Sequence, residues 1–340
     1  MARIALDAMG GDFAPRATVA GALAALAELA PEHSIQLVGR TDILTRELKA
    51  HLDGGAPGVP DVRARIEIVE APEVIEMGEK PSTAIRGKPK SSMMVGLRLQ
   101  AEGQSDGFVS AGSTGAQMGA STVLLRLHPG LTRPAIVTPF PTQREMVAVL
   151  DSGANVDCSA EELVQFARLG SVYVEQILGR PNPGIGLMSI GEEAEKGNAV
   201  TKEANRLLQA AGLNFLGNIE GRDLPKGACD RGPIDVVVCD GFVGNIILKL
   251  YEAIGPLVSA MLGKALGTDE DTLRNALRSF DYSEYGGAPL LGVRGVSIIA
   301  HGKSSSRAIK NALGVAIRAV ETNMSDHIGR RLGDAQGGQA

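Results

Sequence analysis

The chain has few aromatic side chains and no excess of positive charge. Only 3% of its 340 residues are Phe, Trp or Tyr, and tryptophan is absent. Proteins that bind single-stranded nucleic acid by stacking need aromatic platforms, so the composition argues against that class. The net charge of −5 gives no basic footprint of the kind that binds nucleic acid. We therefore expect no nucleic-acid partner, although a local basic pocket remains compatible with this charge.

Cysteine is also scarce. The three cysteines, Cys158, Cys229 and Cys239, form no C-x-x-C pair. An odd, small number of cysteines in a chain of this length indicates a reduced, cytoplasmic protein without a disulfide framework. Cys239 closes an apolar strand, where core packing is the commoner role. No His/Cys/Asp group has the spacing of a zinc site, so we expect no metal.

Several signatures of membrane insertion and catalysis are absent. The longest uncharged run, residues 107–125, contains Ser, Thr, Gln and Gly and is a poor transmembrane span. The first residues already form a strand and an acidic turn, so we expect no signal peptide. No G-x-G-x-x-G follows the first strand, and no P-loop or G-x-S-x-G elbow occurs. These absences argue against a dinucleotide-binding fold, a P-loop NTPase and a serine hydrolase.

The chain does contain one motif that recurs: an apolar strand, a glycine turn and a helix. Its clearest copy is residues 106–119, in which Phe108 and Val109 supply the strand and Ser113 is a good N-cap. A helix that begins at a glycine turn offers free N–H groups and the positive end of its dipole, which suits an anion. Comparable turns follow other strands at residues 7–12, 150–155, 189–193, 217–221, 239–245 and 300–303.

The alternation of strands and helices predicts an α/β protein. We expect a three-layer α/β/α sandwich with a Rossmann-like, mostly parallel sheet. Strands at residues 134–138 and 146–150, joined by a short turn, predict a hairpin. Residues 1–328 are predicted to form a single α/β catalytic domain with a helical protrusion around residues 246–280, and residues 329–340 a disordered tail. Since ligands bind outside the carboxyl ends of strands in such sheets, the glycine turns predict a binding rim.

Two further segments are candidates for this rim. Residues 79–92 form the densest basic stretch, which is compatible with either an anion pocket or a solvated helix face. Its cations are Lys80, Arg86, Lys88 and Lys90. His301 ends an apolar strand and precedes Lys303 and a helix, which places a titratable group and a cation beside another helix start. The other histidines, His33, His51, His128 and His327, are predicted to lie in loops, helix ends or the tail and to face solvent.

Eight blocks of sequence, taken in order, resemble the bacterial fatty acyl-ACP:phosphate acyltransferase (PlsX) family. They are DAMGGD at 7–12, SAGSTGA at 110–116, LDSGAN at 150–155, IGEE and KGN within 190–198, GNIEG at 217–221, DGFVGN at 240–245, YGG at 285–287 and AHG at 300–302. The resemblance spans roughly residues 2–322. The family more often has Asn at 113, Val at 152, Asn at 189 and a basic residue at 89. This chain has Ser113, Ser152, Ser189 and Pro89 there.

The resemblance implies a reaction and a setting. A long-chain acyl group would pass from acyl carrier protein to inorganic phosphate, and the acyl phosphate would feed phospholipid synthesis. The family is similar in fold to phosphotransacetylases and to isocitrate and isopropylmalate dehydrogenases. It implies a cytosolic homodimer without metal or organic cofactor. It also implies contact with the membrane surface, either directly or through a membrane glycerol-3-phosphate acyltransferase.

Under this interpretation the strand-end residues receive roles. Phosphate oxygen is already nucleophilic, so no Ser or Cys nucleophile is needed. The predicted catalytic residues are His301, Lys303, Asp12 and Asn245. The predicted substrate-binding residues are Gly10, Gly11, Lys80, Arg86, Lys88, Lys90, Ser91, Ser113, Thr114, Gly115, Asn155, Asn218 and Asp240. The apolar helix near residues 246–266 is assigned either to the core and a dimer interface or to a tip that enters the bilayer surface.

Other functions remain open. One alternative is another enzyme of the same fold, either a short-chain phosphotransacetylase or a metal-dependent β-decarboxylating dehydrogenase. The dehydrogenase would need clustered Asp ligands and a nicotinamide loop, which the sequence does not supply. A second alternative is a non-catalytic protein that binds an acyl group or an anion, which would bind tightly without turnover.

Overall fold

A computed structural model describes residues 1–53, 62–266, 272–273 and 284–337. The chain divides into two compact units, whereas the sequence analysis treated residues 1–328 as one domain. The first unit comprises residues 1–129 and 285–330, and the second comprises residues 130–284 and the chain from 331 onward. Each unit contains its own sheet.

The elements alternate as the sequence predicts. The strands are β1 (Arg3–Asp7), β2 (Ser34–Gly39), β3 (Ile66–Glu70), β4 (Gly107–Ser110), β5 (Ala135–Ile136), β6 (Thr138–Phe140), β7 (Val147–Leu150), β8 (Ile185–Met188), β9 (Phe215–Ile219), β10 (Ala228–Cys229), β11 (Gly232–Pro233), β12 (Val236–Val238), β13 (Ala288–Leu291) and β14 (Ser297–Ile299). The helices are α1 (Arg16–Glu28), α2 (Thr41–Asp53), α3 (Pro81–Gly87), α4 (Ser92–Ala101), α5 (Thr114–Leu124), α6 (Ala160–Ile177), α7 (Ala199–Gln209), α8 (Gly241–Leu266), α9 (Ser306–Glu321) and α10 (Met324–Gly337).

The strands of the first unit lie in the order β3-β2-β1-β4-β14-β13. All neighbouring pairs are parallel except β13 and β14. The chain moves outward from β1 to β3 and then returns across β1 to β4. Because parallel crossovers are right-handed, this reversal places α1 and α2 on one face and α4 on the other. The result is a three-layer arrangement with a switch of direction between β1 and β4, where ligands bind in such folds.

The sheet of the second unit has the order β6-β7-β12-β8-β9. Strands β7, β12, β8 and β9 are parallel, and β6 pairs with β7 as an antiparallel hairpin, which confirms the predicted hairpin. The central strand β12 is buried along its whole length, as its continuous run of valines predicts. Its core includes Phe140 and Ile219, with Tyr251 of α8 packed against it.

Helix starts follow the predicted capping residues. The side chains of Ser91, Ser113 and Ser305 cap α4, α5 and α9, and Asn198 caps α7. Ser159 and Glu162 form a complete capping box at the start of α6. These local signals explain why helix starts in the structure lie close to the positions that the sequence indicates.

Some features differ from the predictions. Helix α8 continues through Pro256, and α10 extends into the tail for which disorder was predicted. The predicted helical protrusion around residues 246–280 lies partly outside the described residues. The prediction that His33 and His128 face solvent is wrong, because both are buried. His33 Nδ1 accepts a hydrogen bond from the Ala2 N–H at 3.1 Å, and His128 Nε2 lies 3.0 Å from Ser325 Oγ.

Candidate functional site

Three neighbouring strands of the first unit, β1, β4 and β14, end side by side in glycine-containing turns. We call the turns at residues 8–12, 111–115 and 300–305 the first rim. The Asp12 N–H donates to the Gly302 carbonyl at 2.7 Å, and the Ala300 N–H donates to the Ser110 carbonyl at 2.8 Å. The backbone therefore joins the turns into one continuous edge, as the sequence analysis expected for this part of the chain.

The glycines of the first rim allow two turns to approach closely. A Cβ at Gly10 would lie 2.6 Å from Asp7 Oδ2 and 2.9 Å from the Gly112 nitrogen. Gly11 has φ of +102°, and a Cβ there would lie 3.2 Å from the Gly302 carbonyl oxygen. Side chains at these positions would separate the turns, so the backbone itself lines this part of the rim.

The amino terminus of α5 opens onto the same edge. Ser113 Oγ accepts from the Ala116 N–H at 3.4 Å and thereby caps the helix. Thr114 and Gly115 are exposed residues of the first helical turn, where an N–H has no intrahelical acceptor. Free N–H groups together with the positive end of the helix dipole suit an anion.

His301 and Lys303 stand beside these turns. The Lys303 N–H donates to His301 Nδ1 at 3.1 Å, and the Ser304 N–H donates to the His301 carbonyl at 2.8 Å. Because Nδ1 accepts a hydrogen bond, the neutral ring carries its proton on Nε2. His301 is half-buried and Lys303 is exposed. The turn therefore fixes the tautomer in which the Nε2–H of His301 can donate a hydrogen bond.

The basic segment reaches the first rim at Lys80. The preceding Met77 packs on the rim, since a Cβ at Gly302 would lie 2.9 Å from Met77 Cε. The following Pro81 packs against α5, since a Cβ at Gly115 would lie 2.9 Å from Pro81 Cγ. Lys80 lies between these two contacts, and its side chain is exposed. Of the four cations of this segment, Lys80 is the one that lies between residues in contact with the rim and with α5.

The other polar residues of this segment have different surroundings. Lys88 Nζ donates to the Val74 carbonyl at 2.7 Å and forms a short ion pair with Glu79. Arg86 and Lys90 are exposed, and Ser91 is fully buried, with its hydroxyl capping α4. Lys88 and Ser91 thus hold the segment in place. That they also bind substrate stays a prediction.

Asp7, which the sequence analysis did not place in the site, lies directly beneath the first rim. Its side chain is 2% exposed. Oδ2 accepts from Ser110 Oγ at 2.7 Å, and Oδ1 accepts from the Met9 N–H at 3.2 Å. Burial raises the pKa of this carboxyl, against the opposing effect of hydrogen bonds from Ser92, Ser110 and the Met9 backbone. The sequence signals for it are its position at the last residue of β1 and its place as the first residue of the DAMGGD block.

The second unit has a comparable buried carboxyl after β7. Asp151 Oδ1 accepts from the Ile136 and Ala154 N–H groups at 3.0 and 3.1 Å, and Oδ2 accepts from the Asn155 N–H at 2.6 Å. Burial raises its pKa as well. Asn155 is buried and donates to Asp151 and to the Pro134 carbonyl. Both side chains therefore hold the turn together.

Two other predicted site residues of the second unit also form hydrogen bonds within the fold. Asn218 is buried, accepts from Asn205 Nδ2 at 2.8 Å and donates to the Glu193 carbonyl at 2.7 Å. Asp240 Oδ1 accepts from the Val243 N–H at 2.8 Å and so caps the start of α8. By contrast, Asn245 on the first turns of α8 is exposed. Of the predicted residues in this unit, Asn245 is the one whose side chain faces solvent.

Large apolar side chains follow three adjacent strands of the second unit. Val156 follows β7 and is 60% exposed, Ile190 follows β8 and is 82% exposed, and Phe242 follows β12 and is 58% exposed. The exposed apolar surface continues along α8 at Ile246, Leu250, Leu257 and Met261. By length and composition α8 is able to cross a membrane, and only 6% of its most apolar window is buried. The core therefore covers little of this helix.

Metal and thiol chemistry find little support in the described residues. In residues 1–53, 62–266, 272–273 and 284–337, no group of three His, Cys, Asp or Glu side chains could hold a metal ion. Burial raises the pKa of Cys158 to about 12 and also raises that of Cys239. Since the thiolate is the nucleophilic form, neither thiol is activated at neutral pH.

Known proteins resemble this chain along nearly its whole length. The profile of a family described as fatty acid synthesis protein matches residues 2–327. A phosphate acyltransferase from Desulforamulus reducens is 47% identical over 346 positions, covering 99% of each chain. One from Moorella thermoacetica is 44% identical over 337 positions, covering 96% of this chain and 95% of the relative.

Solved structures with the same fold are more distant in sequence. A phosphotransacetylase from Streptococcus pyogenes is 18% identical with a TM-score of 0.64, covering 94% of each chain. A 4-hydroxythreonine-4-phosphate dehydrogenase from Klebsiella pneumoniae is 16% identical with a TM-score of 0.57, covering 94% of this chain and all of the other. At this level of identity the likeness concerns the fold alone, and it confirms the predicted α/β architecture.

Proposed function

The chain belongs to the fatty acid synthesis protein family, the family of phosphate acyltransferases that its sequence blocks resemble, and from this we propose that it transfers a long-chain acyl group from acyl carrier protein to inorganic phosphate. A phosphate oxygen attacks the thioester carbonyl carbon. The carbon–sulfur bond then breaks, and the carrier leaves as a thiolate that takes up a proton. The products are an acyl phosphate and the free carrier protein, and the acyl phosphate supplies phospholipid synthesis.

The observation that supports this reaction most strongly is the first rim. Backbone turns at Gly10 and Gly11 lie against the start of α5, where Thr114 and Gly115 present first-turn N–H groups. A phosphate dianion needs such donors and a nearby cation, and Lys80 lies between the two contacts that hold its segment to the rim. We therefore assign phosphate to this edge, with Lys80 as its nearest cation from the basic segment.

His301 and Lys303 serve the thioester in this proposal. The Nε2–H of His301 donates to the carbonyl oxygen as negative charge develops there, and later to the departing sulfur. Donors placed for such an oxyanion typically contribute about 3 kcal/mol. The Lys303 ammonium adds positive charge near the same turn. Asp12, whose N–H is bonded to Gly302, holds the His301 turn against the Gly10 turn. Placement of phosphate against the carbonyl supplies a further part of the rate.

Among the predicted site residues of the second unit, Asn245 is the one with an exposed amide. We assign Asn245 to substrate orientation, whereas Asn155, Asn218 and Asp240 act through the turns that they hold. Arg86, Lys88 and Lys90 form part of the surface that meets the acidic carrier protein or its phosphopantetheine. Ser91 and Ser113 contribute through the helices that they cap.

The exposed apolar face of α8 requires a partner of its own. We propose a cytoplasmic homodimer. The first half of this face, with Ile246 and Leu250, meets a second copy, and the distal half, with Leu257 and Met261, meets the membrane surface. An acyl phosphate released there enters lipid directly, for use by a membrane glycerol-3-phosphate acyltransferase. Contact with anionic vesicles should be lost when Leu257 and Met261 are both replaced by Glu, with phosphate-dependent turnover of a soluble carrier substrate retained. Vesicle binding by the double variant that equals wild type would contradict the distal assignment.

A short-chain phosphotransacetylase-like activity is the alternative that the solved structures favour, because they share the fold. The exposed apolar residues of the second unit favour a long acyl chain instead. A non-catalytic protein that binds acyl groups or anions is the remaining alternative, and it would show binding without turnover.

Donor preference separates these activities. The purified protein is mixed with phosphate and either a long-chain acyl carrier protein or acetyl-CoA, and acyl phosphate is trapped with hydroxylamine. We expect hydroxamate from the long-chain carrier substrate and little from acetyl-CoA. The reverse preference would assign the protein to the short-chain activity, and phosphate binding without hydroxamate from either donor would assign it to binding alone.

A further inference from the structure

We propose that Asp7 is the positioning residue of the phosphate site, and that it acts by fixing the two glycine turns that meet above it. This inference rests on the proposed function, and it adds a residue that contacts no substrate. Asp7 is buried at the end of β1, and Gly10 and Gly112 both approach its Oδ2, at 2.6 Å and 3.4 Å from an added Cβ.

Each carboxylate oxygen of Asp7 holds a different turn. Oδ1 accepts from the Met9 N–H at 3.2 Å, within its own turn. Oδ2 accepts from Ser110 Oγ at 2.7 Å, and Ser110 Oγ in turn accepts from the Gly112 N–H at 3.0 Å. The hydroxyl of Ser110 is thus oriented by Asp7 and passes that constraint to the backbone just before α5. An amide at position 7 has an acceptor oxygen on one side only, so it cannot accept from both the Met9 N–H and Ser110 Oγ as the carboxylate does.

The opposite end of the same two strands provides a matched comparison. Ser105 Oγ accepts from the Ala5 N–H at 2.9 Å and donates to β1 and β4 carbonyls, and Asp106 Oδ2 accepts from the Arg3 N–H at 2.6 Å. These two residues join β1 and β4 with the same kinds of hydrogen bond as Asp7 and Ser110. They lie at the amino ends of the strands, away from the first rim. They should therefore contribute to stability without affecting phosphate.

The test compares Asp7→Asn and Ser110→Ala with Asp106→Asn and Ser105→Ala in the full chain. We expect the first pair to raise the KM for phosphate about tenfold, the effect of losing one hydrogen bond to a charged group, with little change in the KM for the acyl carrier substrate. The double variant Asp7→Asn/Ser110→Ala should be no worse than Asp7→Asn, because the effect of Ser110 depends on Asp7. The second pair should lower the melting temperature and leave the KM for phosphate unchanged.

Two results would overturn the inference. One is a KM for phosphate in Asp7→Asn that stays at the wild-type value while the melting temperature falls as in Ser105→Ala. The other is an additive double variant, which would mean that Asp7 and Ser110 act separately. If Asp7→Asn does not fold, Ser110→Ala alone still decides. An unchanged KM for phosphate in that variant would show that Asp7 does not act on the phosphate site through Ser110.

Failure of the proposed function would be recognised separately. Stabilisation of the wild-type protein by inorganic phosphate, measured as a shift in melting temperature, does not depend on turnover. A wild type that is stabilised by phosphate but releases no carrier thiol removes the acyl transfer, and the loss of that stabilisation in Asp7→Asn then tests Asp7 alone. A wild type with neither response contradicts both proposals.

Discussion

The sheets of the two units have a similar sequence pattern at the carboxyl ends of their strands, but the side chains there serve different purposes. Both sheets have a buried aspartate at the carboxyl end of a strand, Asp7 after β1 and Asp151 after β7. Asp7 supports turns whose outer surface is backbone, beside His301 and Lys303. Asp151 supports a turn whose polar side chain, Asn155, is itself buried, and Val156, the residue after it, exposes an apolar side chain.

This difference shows where polar groups remain available for chemistry. In the first unit, glycine keeps side chains away and leaves N–H groups at the start of α5. In the second unit, the predicted polar side chains mostly form hydrogen bonds within the fold, and Val156, Ile190 and Phe242 expose apolar surface.

The largest expected effect comes from filling the space between the two turns of the first rim. In Gly10→Ala the new methyl group would meet Asp7 Oδ2 at 2.6 Å and the Gly112 nitrogen at 2.9 Å, so the turns must separate. We expect kcat/KM for phosphate to fall at least about 100-fold, equivalent to ~2.7 kcal/mol. Gly78→Ala is the control, because no atom lies within 4 Å of its added Cβ. Equal activity in both variants would show that the close approach of the turns is not needed for the reaction with phosphate.

The next largest effect tests hydrogen-bond donation from His301 Nε2. His301→Ala should lower kcat about 100-fold, within the range for the loss of one oxyanion donor, with little change in the melting temperature. His51→Ala on α2 is the control, since that histidine is half-buried beside Glu47 and outside the site. A kcat of His301→Ala within twofold of wild type would exclude the proposed role of the imidazole.

A smaller effect is expected from the basic segment. Lys80→Ala should raise the KM for phosphate about tenfold, as for the loss of one charge-assisted contact. Lys90→Ala should change it little, because Lys90 is exposed beyond α3 and its hydrogen bonds to Glu73 are made by its backbone. Both variants are compared in steady-state assays at varied phosphate. A larger effect for Lys90 would move the phosphate contact to the far end of the segment.

The smallest effect concerns pH and the second unit. Burial raises the pKa of folded Asp151 above its ordinary value of 3.8, so the folded chain binds this proton more tightly than the unfolded chain. The stabilising contribution is then present below the unfolded pKa and is lost as pH rises through the folded pKa. The stability of the wild type relative to Asp151→Asn should therefore fall as the pH rises above about 4 in urea unfolding. A difference that grows with pH would mean that the carboxyl is stabilised as an anion.

Local sequence signals predicted much of the fold. Ser113, Ser159 and Asn198 cap helices where their sequence neighbours indicate, and the valines of β12 predicted a strand buried on both faces. The division into two units could not be read in the same way, because it depends on long-range contacts that bring residues 285–330 to the amino-terminal half.

The candidate site was predicted less completely. The sequence marks Gly10, Gly11 and His301 by their position after strands. It cannot distinguish Lys80 from Lys88, because only the fold brings Glu79 and the Val74 carbonyl to Lys88. It likewise cannot show that Asn155 and Asn218 are buried, since a polar residue at the end of a strand has the same sequence pattern whether it faces inward or outward.

The central claim is that phosphate itself attacks the thioester of the carrier protein. The most direct measurement follows release of free carrier thiol from a long-chain acyl carrier protein with and without inorganic phosphate. We predict release that depends strictly on phosphate and is matched by equal amounts of hydroxylamine-trapped acyl phosphate. Release at the same rate without phosphate would contradict the account, because it would make the protein a thioesterase with water as the nucleophile.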